Sequence, residues 1–348
     1  MIVNAYAVLD GFLVILRLVL GFAVVYIALS SWLSHRHAPD PHSRLQEERG
    51  SFLFLAASTL IGLSVISWPV LYLLLQSYVP AWEGVMCIYG VTQIGKGSIG
   101  PARFLPVLLD ALQLLKPALV FAGGAWLVLH LLNGRTHSGP LAARVTLLLM
   151  VFGIVATADA GAELAYLVIP KKEEFAVGGC CTEVFDGASQ TSRLLPMEWA
   201  GVGNRPWLYG LYFALNGATA LALFGVLRYG WTGKSLVMMA IMVAFTIAFN
   251  AFFLVEAAAP LLLHLPYHHC PYDLLPIVPE SMAAIGLFVL GTFGFGWGCL
   301  VGAMGRHPET VAHLPDMMRK LLKIGLFGWL GSLVMMSLEL ALAWAEQR

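Results

Sequence analysis

Eight stretches of nearly unbroken apolar residues divide the chain, at about 5–32, 51–76, 105–132, 144–169, 206–228, 235–263, 276–303 and 321–345. An α-helix rises about 1.5 Å per residue, so each stretch is long enough to cross roughly 30 Å of bilayer hydrocarbon. A barrel strand would be about ten residues long and would alternate apolar with polar. These stretches are continuously apolar, and the pattern predicts an all-α, polytopic transmembrane helix bundle of about eight membrane-spanning helices. The segments between them are polar and rich in Gly, Pro and charge, as loops in water are.

Composition strengthens this picture. Of 348 residues, 59% are hydrophobic and only 11% charged, against about 25% charged in a soluble domain. Residues 1–348 are therefore expected to form a single integral membrane domain, with the lipid bilayer as its first partner. Lys and Arg together number 20, as do Asp and Glu; no basic cluster suits nucleic acid. The opening run MIVNAYAVLDGFLVILRLVLG has no positive n-region and no small-residue cleavage site, which predicts a retained helix.

Orientation follows from Lys and Arg. The short loops 33–50, 133–143, 228–234 and 304–323 contain ten such residues, among them Arg36, Arg135, Arg228, Arg306 and Lys320. The longer loops 77–104, 170–205 and 264–275 contain six: Lys96, Arg103, Lys171, Lys172, Arg193 and Arg205. The asymmetry predicts a cell membrane protein, in the inner membrane of a bacterium, with both termini extracytoplasmic. The three long loops would then form an extracytoplasmic cap.

Four of the five cysteines, Cys87, Cys180, Cys181 and Cys270, fall in those loops, and Cys299 sits in an apolar stretch. Four cysteines on one oxidising side predict two disulfides. Neighbouring cysteines pair badly with each other, so Cys180 and Cys181 are expected to reach separately to Cys87 and Cys270. Two sharper chemistries compete. The segment HHCPYD (His268 to Asp273) resembles the CPYC of thioredoxin-like redox sites, with Asp273 where the second cysteine belongs. Over the same few residues it resembles membrane thiol oxidoreductases of the vitamin K epoxide reductase type; the paired cysteines of those enzymes are missing, and no residue is carried across. His268, His269 and Cys270, with Cys180 and Cys181, are also competent ligands for a soft metal, although their spacing matches no standard zinc motif. No metal is expected.

Seven of the charges inside or at the edge of apolar stretches stand out: Arg17, Asp110, Lys116, Asp159, Glu163, Glu256 and Glu339. Each would cost about 2.5–3.5 kcal/mol at a bilayer centre, so together they predict a polar intramembrane site. Asp159 and Glu163 stand one helical turn apart on one face and suit proton binding, unless Lys116 or Arg17 neutralises them. The run GVTQIGKGS (Gly90 to Ser98) nearly spells a phosphate-binding loop, but Gly97 displaces the required hydroxyl and no strand precedes it. Of ten histidines only His130 and His264 touch an apolar stretch, so no intramembrane haem b is expected; a quinone stays open as a cofactor. The seventh and eighth stretches are rich in glycine, with Gly298 and Gly302 in GxxxG spacing. Such a face packs helices closely within a chain, and a minority reading uses it for a partner subunit.

These observations favour a transporter-like protein, or a membrane subunit of a larger complex, with a disulfide-braced cap over a polar site. The alternatives are a membrane thiol-disulfide/quinone oxidoreductase and a structural anchor for soluble redox partners.

Overall fold

The computed structural model of the protein describes residues 4–37, 44–82, 85, 87–96, 98–171, 206–265 and 268–346. Among the described residues the fold is all-helical, without strands. Eight long helices follow the apolar stretches: α1 (Ala5–His37), α2 (Arg44–Tyr78), α3 (Leu105–Asn133), α4 (Ala142–Val168), α5 (Pro206–Tyr229), α6 (Gly233–Phe253), α7 (Glu280–Met304) and α8 (Leu314–Glu346). All eight are long and apolar enough to cross a membrane, which fits a multi-pass integral membrane protein.

Several boundaries differ from the apolar pattern, among them the start of α2 at Arg44 and the end of α1 at His37. The stretch at 276–303 yields a helix only from Glu280, because Leu274–Ile277 closes a separate short helix before Pro279. Conversely, α8 starts seven residues before the apolar stretch at 321, over LPDMMRK. That polar turn is stabilised by the Lys320 ammonium 3.0 Å from the Asp316 carboxylate at i, i+4. Past Phe253, α6 widens into a π-turn, Leu254–Ala258, before a last turn Ala259–Leu262. Pro260 lacks the N–H and its ring crowds the carbonyl four residues back, so the helix relaxes there.

The chain divides into two compact units. The first comprises Met1–Val85, Gly90–Gly178 and Leu300–Leu314, and so contains α1 to α4. In it α1 and α4 approach closely at two glycines: a Cβ on Gly21 would lie 2.7 Å from Thr157 Oγ1, and one on Gly153 would lie 2.7 Å from Val25 Cγ2. The second unit comprises Met86–Tyr89, Gly179–Cys299 and Pro315–Arg348, with α5, α6, most of α7 and nearly all of α8. Its core includes two larger clusters among the described residues. One packs Leu208, Tyr212, Phe253, Leu274, Met336 and Leu340, with the Tyr212 and Phe253 rings stacked 4.2 Å apart. The other packs Leu223, Val243, Phe295, Leu322 and Trp329.

The glycines of α7 and α8 meet inside this second unit. A Cβ on Gly328 would lie 2.6 Å from the Gly291 nitrogen, and one on Gly294 would lie 2.7 Å from the Gly325 nitrogen. Backbone against backbone leaves no space for a methyl group, so this part of the glycine-rich face is used within the chain.

Candidate functional site: a buried ion cluster

Three helices of the first unit carry the site. From its start at Ala5, α1 places Arg17 about 18 Å along the axis at about 1.5 Å per residue. On α3, Lys116 lies at a comparable depth of about 17 Å from Leu105. Asp159 and Glu163 stand on one face of α4, about 14 and 8 Å from its end at Val168. Because Gly21 and Gly153 let α1 and α4 touch, Arg17, one turn before Gly21, meets the two acids directly. Lys116 precedes Pro117, which denies α3 one backbone hydrogen bond at this depth.

Four ion pairs result. The Arg17 guanidinium donates to Asp159 Oδ2 through Nη1 and to Glu163 Oε2 through Nη2. Lys116 Nζ lies 3.0 Å from Asp159 Oδ2 and 2.7 Å from Glu163 Oε2. It also donates to Ser67 Oγ on α2 at 3.2 Å, and Ser67 in turn donates to the Ser64 carbonyl at 2.9 Å. Arg17, Asp159 and Glu163 are fully buried and Lys116 nearly so. Two cations balance two carboxylates, as an apolar surrounding demands.

A fifth member breaks the balance. Asp10 on α1 is fully buried, within electrostatic reach of Glu163, Lys116 and Arg17, and also of Tyr78 and Tyr166. Neither of its oxygens has a hydrogen-bond partner of ordinary geometry among the described residues. The same holds for Asp159 Oδ1, Glu163 Oε1 and Arg17 Nε. Buried polar atoms are nearly always partnered; here five such atoms gather in one cluster, with the Asp10 carboxyl beside that of Glu163. Asp10 lies only five residues into an apolar stretch, where an acid is expected to reach water, and sequence reasoning passed over it. The signal was its spacing from Arg17: seven residues, two helical turns, put both on one face.

The other expected acids do not join this cluster. Asp110 is exposed on α3. Glu256, buried in the π-turn, and Glu339, buried on α8, belong to the second unit. Neither Glu339 oxygen has a hydrogen-bond partner among the described residues. The second unit also holds an uncharged polar ladder that sequence reasoning missed. Asn216 and Asn250 exchange amide hydrogen bonds at 2.8 and 3.0 Å, and Thr219 and Thr246 hydroxyls lie 3.0 Å apart, joining α5 to α6.

Cys180 and Cys181 lie outside the described residues, and with them the expected cross-loop disulfides. Cys87 and Cys270 come together: their sulfurs and a carboxylate oxygen of Asp273 all lie within 4.8 Å of one another. Both cysteines are buried, packed against Tyr89 and Tyr272. His268 Nε2 lies 2.7 Å from Asp273 Oδ2. Burial, and secondarily the neighbouring Cys87, holds the Asp273 carboxyl above its ordinary range, an effect eased by His268. His269 Nδ1 lies 3.0 Å from the Val255 carbonyl. Cys299 stands half-buried in apolar surroundings on α7.

The remaining motifs are structural. In the glycine-rich run after Cys87, Gly95 adopts φ +88°, and a Cβ there would lie 2.1 Å from the Ala102 carbonyl oxygen. His130 stacks on Phe54 and Trp126, with centroids 5.0 and 5.3 Å away. His264, at φ +54°, lies 3.2 Å from the Glu346 carboxylate. No protein-family model, curated protein or solved structure matches the chain.

Proposed function

We propose that the protein is a transporter-like integral membrane protein whose cluster in α1, α3 and α4 takes up and releases a proton. The observation that carries this reading is the charge count: three buried acids, Asp10, Asp159 and Glu163, face two cations, Arg17 and Lys116. In an apolar surrounding one more positive charge is required for neutrality, and a proton on a carboxyl oxygen supplies it. Asp10 faces Glu163 with bare oxygens, so a proton held between them has partners on both sides. Both termini are extracytoplasmic in this reading. The outer end of the first unit then holds Asp10 and Glu163, each about 8 Å from a helix end. Tyr78, the last residue of α2, and Tyr166, two residues from the end of α4, lie within electrostatic reach of Asp10.

Infrared difference spectroscopy of the full chain in lipid, between acid and alkaline pH, tests the proposal. The parent should show a carboxylic acid band that changes with pH and disappears in Asp10→Asn. The double variant Asp159→Asn/Glu163→Gln keeps the shape of the cluster and should abolish function in cells that need the protein while still inserting. Absence of any titrating carboxyl band in the parent refutes proton exchange. Full function of the double variant reduces the cluster to scaffolding.

A membrane thiol–quinone oxidoreductase is a second reading, favoured by an apolar cleft of about 320 Å³ in the second unit. Tyr209, Phe213, Leu261, Leu340 and Trp344 are among the residues that line it. It requires Cys87 and Cys270 to cycle through a disulfide, an outcome that the experiment below detects.

A further inference from the structure

We infer that Cys87, Cys270 and Asp273 form a binding site for one thiophilic divalent metal ion, of which Zn²⁺ is the type. The inference stands on the second unit alone and is independent of the proton site. Cys270 and Asp273, three residues apart, converge with the sequence-distant Cys87, and the three donor atoms lie within 4.8 Å of one another. A tetrahedral zinc ion with bonds of about 2.3 Å to sulfur and about 2.0–2.2 Å to oxygen needs its ligands about 3.5–3.8 Å apart. The observed cluster is at most about an ångström wider, a change that side-chain rotation supplies.

The chemistry of the donors agrees. Two sulfurs and one carboxylate are a mixed soft and hard set that suits zinc and excludes the hard cations magnesium and calcium, which take oxygen. Both cysteines are buried, at 5% and 0% exposure, with Tyr89 and Tyr272 packed against them; a divalent cation bound there supplies the positive charge that a buried thiolate ligand needs. The carboxylate is already oriented: His268 holds Asp273 Oδ2, as outer-sphere partners hold metal-ligating carboxylates. Next to Cys270 in the chain, His269 turns Nδ1 to the Val255 carbonyl, which can only accept, and its Nε2 is buried without a partner among the described residues. Asp273, which breaks the CPYC-like redox pattern, here acquires a use, since a carboxylate ligates a metal but cannot close a disulfide. Three protein ligands leave a fourth coordination position open, the arrangement of sites that exchange or activate what they bind.

The test uses the full chain in detergent. Zinc content by mass spectrometry should be about one ion per chain, and loading with Co²⁺ should give a thiolate-to-cobalt charge-transfer band in the near ultraviolet. Cys87→Ser and Cys270→Ser should each lose that band. His268→Ala should keep it but weaken the metal about 10–100-fold. Should the cysteine variants fail to fold, alkylation of the parent decides: Zn²⁺ should protect Cys87 and Cys270 from iodoacetamide, and a chelator should restore their labelling. A metal-free chain that binds neither Zn²⁺ nor Co²⁺ at micromolar concentration overturns the inference. So does recovery of Cys87 or Cys270 in a disulfide on non-reducing peptide mapping.

Discussion

Lys116→Met removes one of the two cations of the buried cluster and leaves its volume nearly unchanged. The lost attractions run over 3.0 Å to Asp159 and 2.7 Å to Glu163, and at an effective dielectric near 20 each is about 5–6 kcal/mol before solvation is counted. Releasing the ammonium from burial returns several kcal/mol. What does not return is the compensation of the acids, which keep only Arg17 and bring two or three negative charges to it. Removal of one partner from a buried pair costs about 3–5 kcal/mol. Arg17 still donates to both acids, so the loss should fall near the lower end, about 3 kcal/mol. The second variant, Lys116→Met/Glu163→Gln, removes one charge of each sign and should recover at least about 2 kcal/mol, because a neutralised cluster has less to desolvate. Equilibrium unfolding of the full chain in mixed micelles, followed by tryptophan fluorescence, measures both. A Lys116→Met protein within about 1 kcal/mol of the parent, or a double variant less stable than the single one, refutes the reasoning.

Four further outcomes are expected. Gly328→Ala places a methyl group against the Gly291 backbone and should cost about 1–3 kcal/mol in the same unfolding assay. Gly217→Ala, whose added methyl has nothing within 4 Å, should be neutral or stabilising by up to about 1 kcal/mol. Lys171, just past α4, is held over the Tyr166 ring at 4.2 Å, and burial lowers its ammonium from 10.5 to about 8. Between those values the unfolded chain keeps a proton that the folded one has lost. Stability should therefore rise with pH from about 8 to 10.5, by up to about 1.4 kcal/mol per unit, and Lys171→Met should flatten the rise in thermal unfolding. Reporter fusions after Arg348 should be active outside the cytoplasm; a cytoplasmic signal reverses the orientation drawn from the loop charges.

The eight helices were legible because the property that specifies them is local: an uninterrupted apolar run can satisfy its backbone in lipid only as a helix. The ends were less so. Leu314–Lys320 is too polar for an apolar pattern to include, yet an i, i+4 ion pair keeps it helical. In the site, Asp159 and Glu163 announced a shared face by spacing, and Arg17 and Lys116 were plausible counter-charges because a lone charge in hydrocarbon is costly. That the four meet depends on Gly21 and Gly153, whose importance shows only when α1 and α4 are laid together. Asp10 was hidden by its nearness to a helix end, and Asn216 and Asn250 by carrying no charge.

The cysteines show the limit most clearly. Compartment and count suggested bonds from Cys87 and Cys270 to Cys180 and Cys181, which lie outside the described residues; the described part of the fold brings Cys87 and Cys270 near each other and adds Asp273. Cys270 and Asp273 are close in the chain, but nothing in the sequence encodes the arrival of Cys87 beside them. What the sequence did carry was the oddity of Asp273 at a position where a redox pair needs sulfur. A broken motif reads as decay until the partner is seen. Beside two sulfurs and held by His268, the same carboxylate is a third donor, and the loss of one chemistry is the condition of the other.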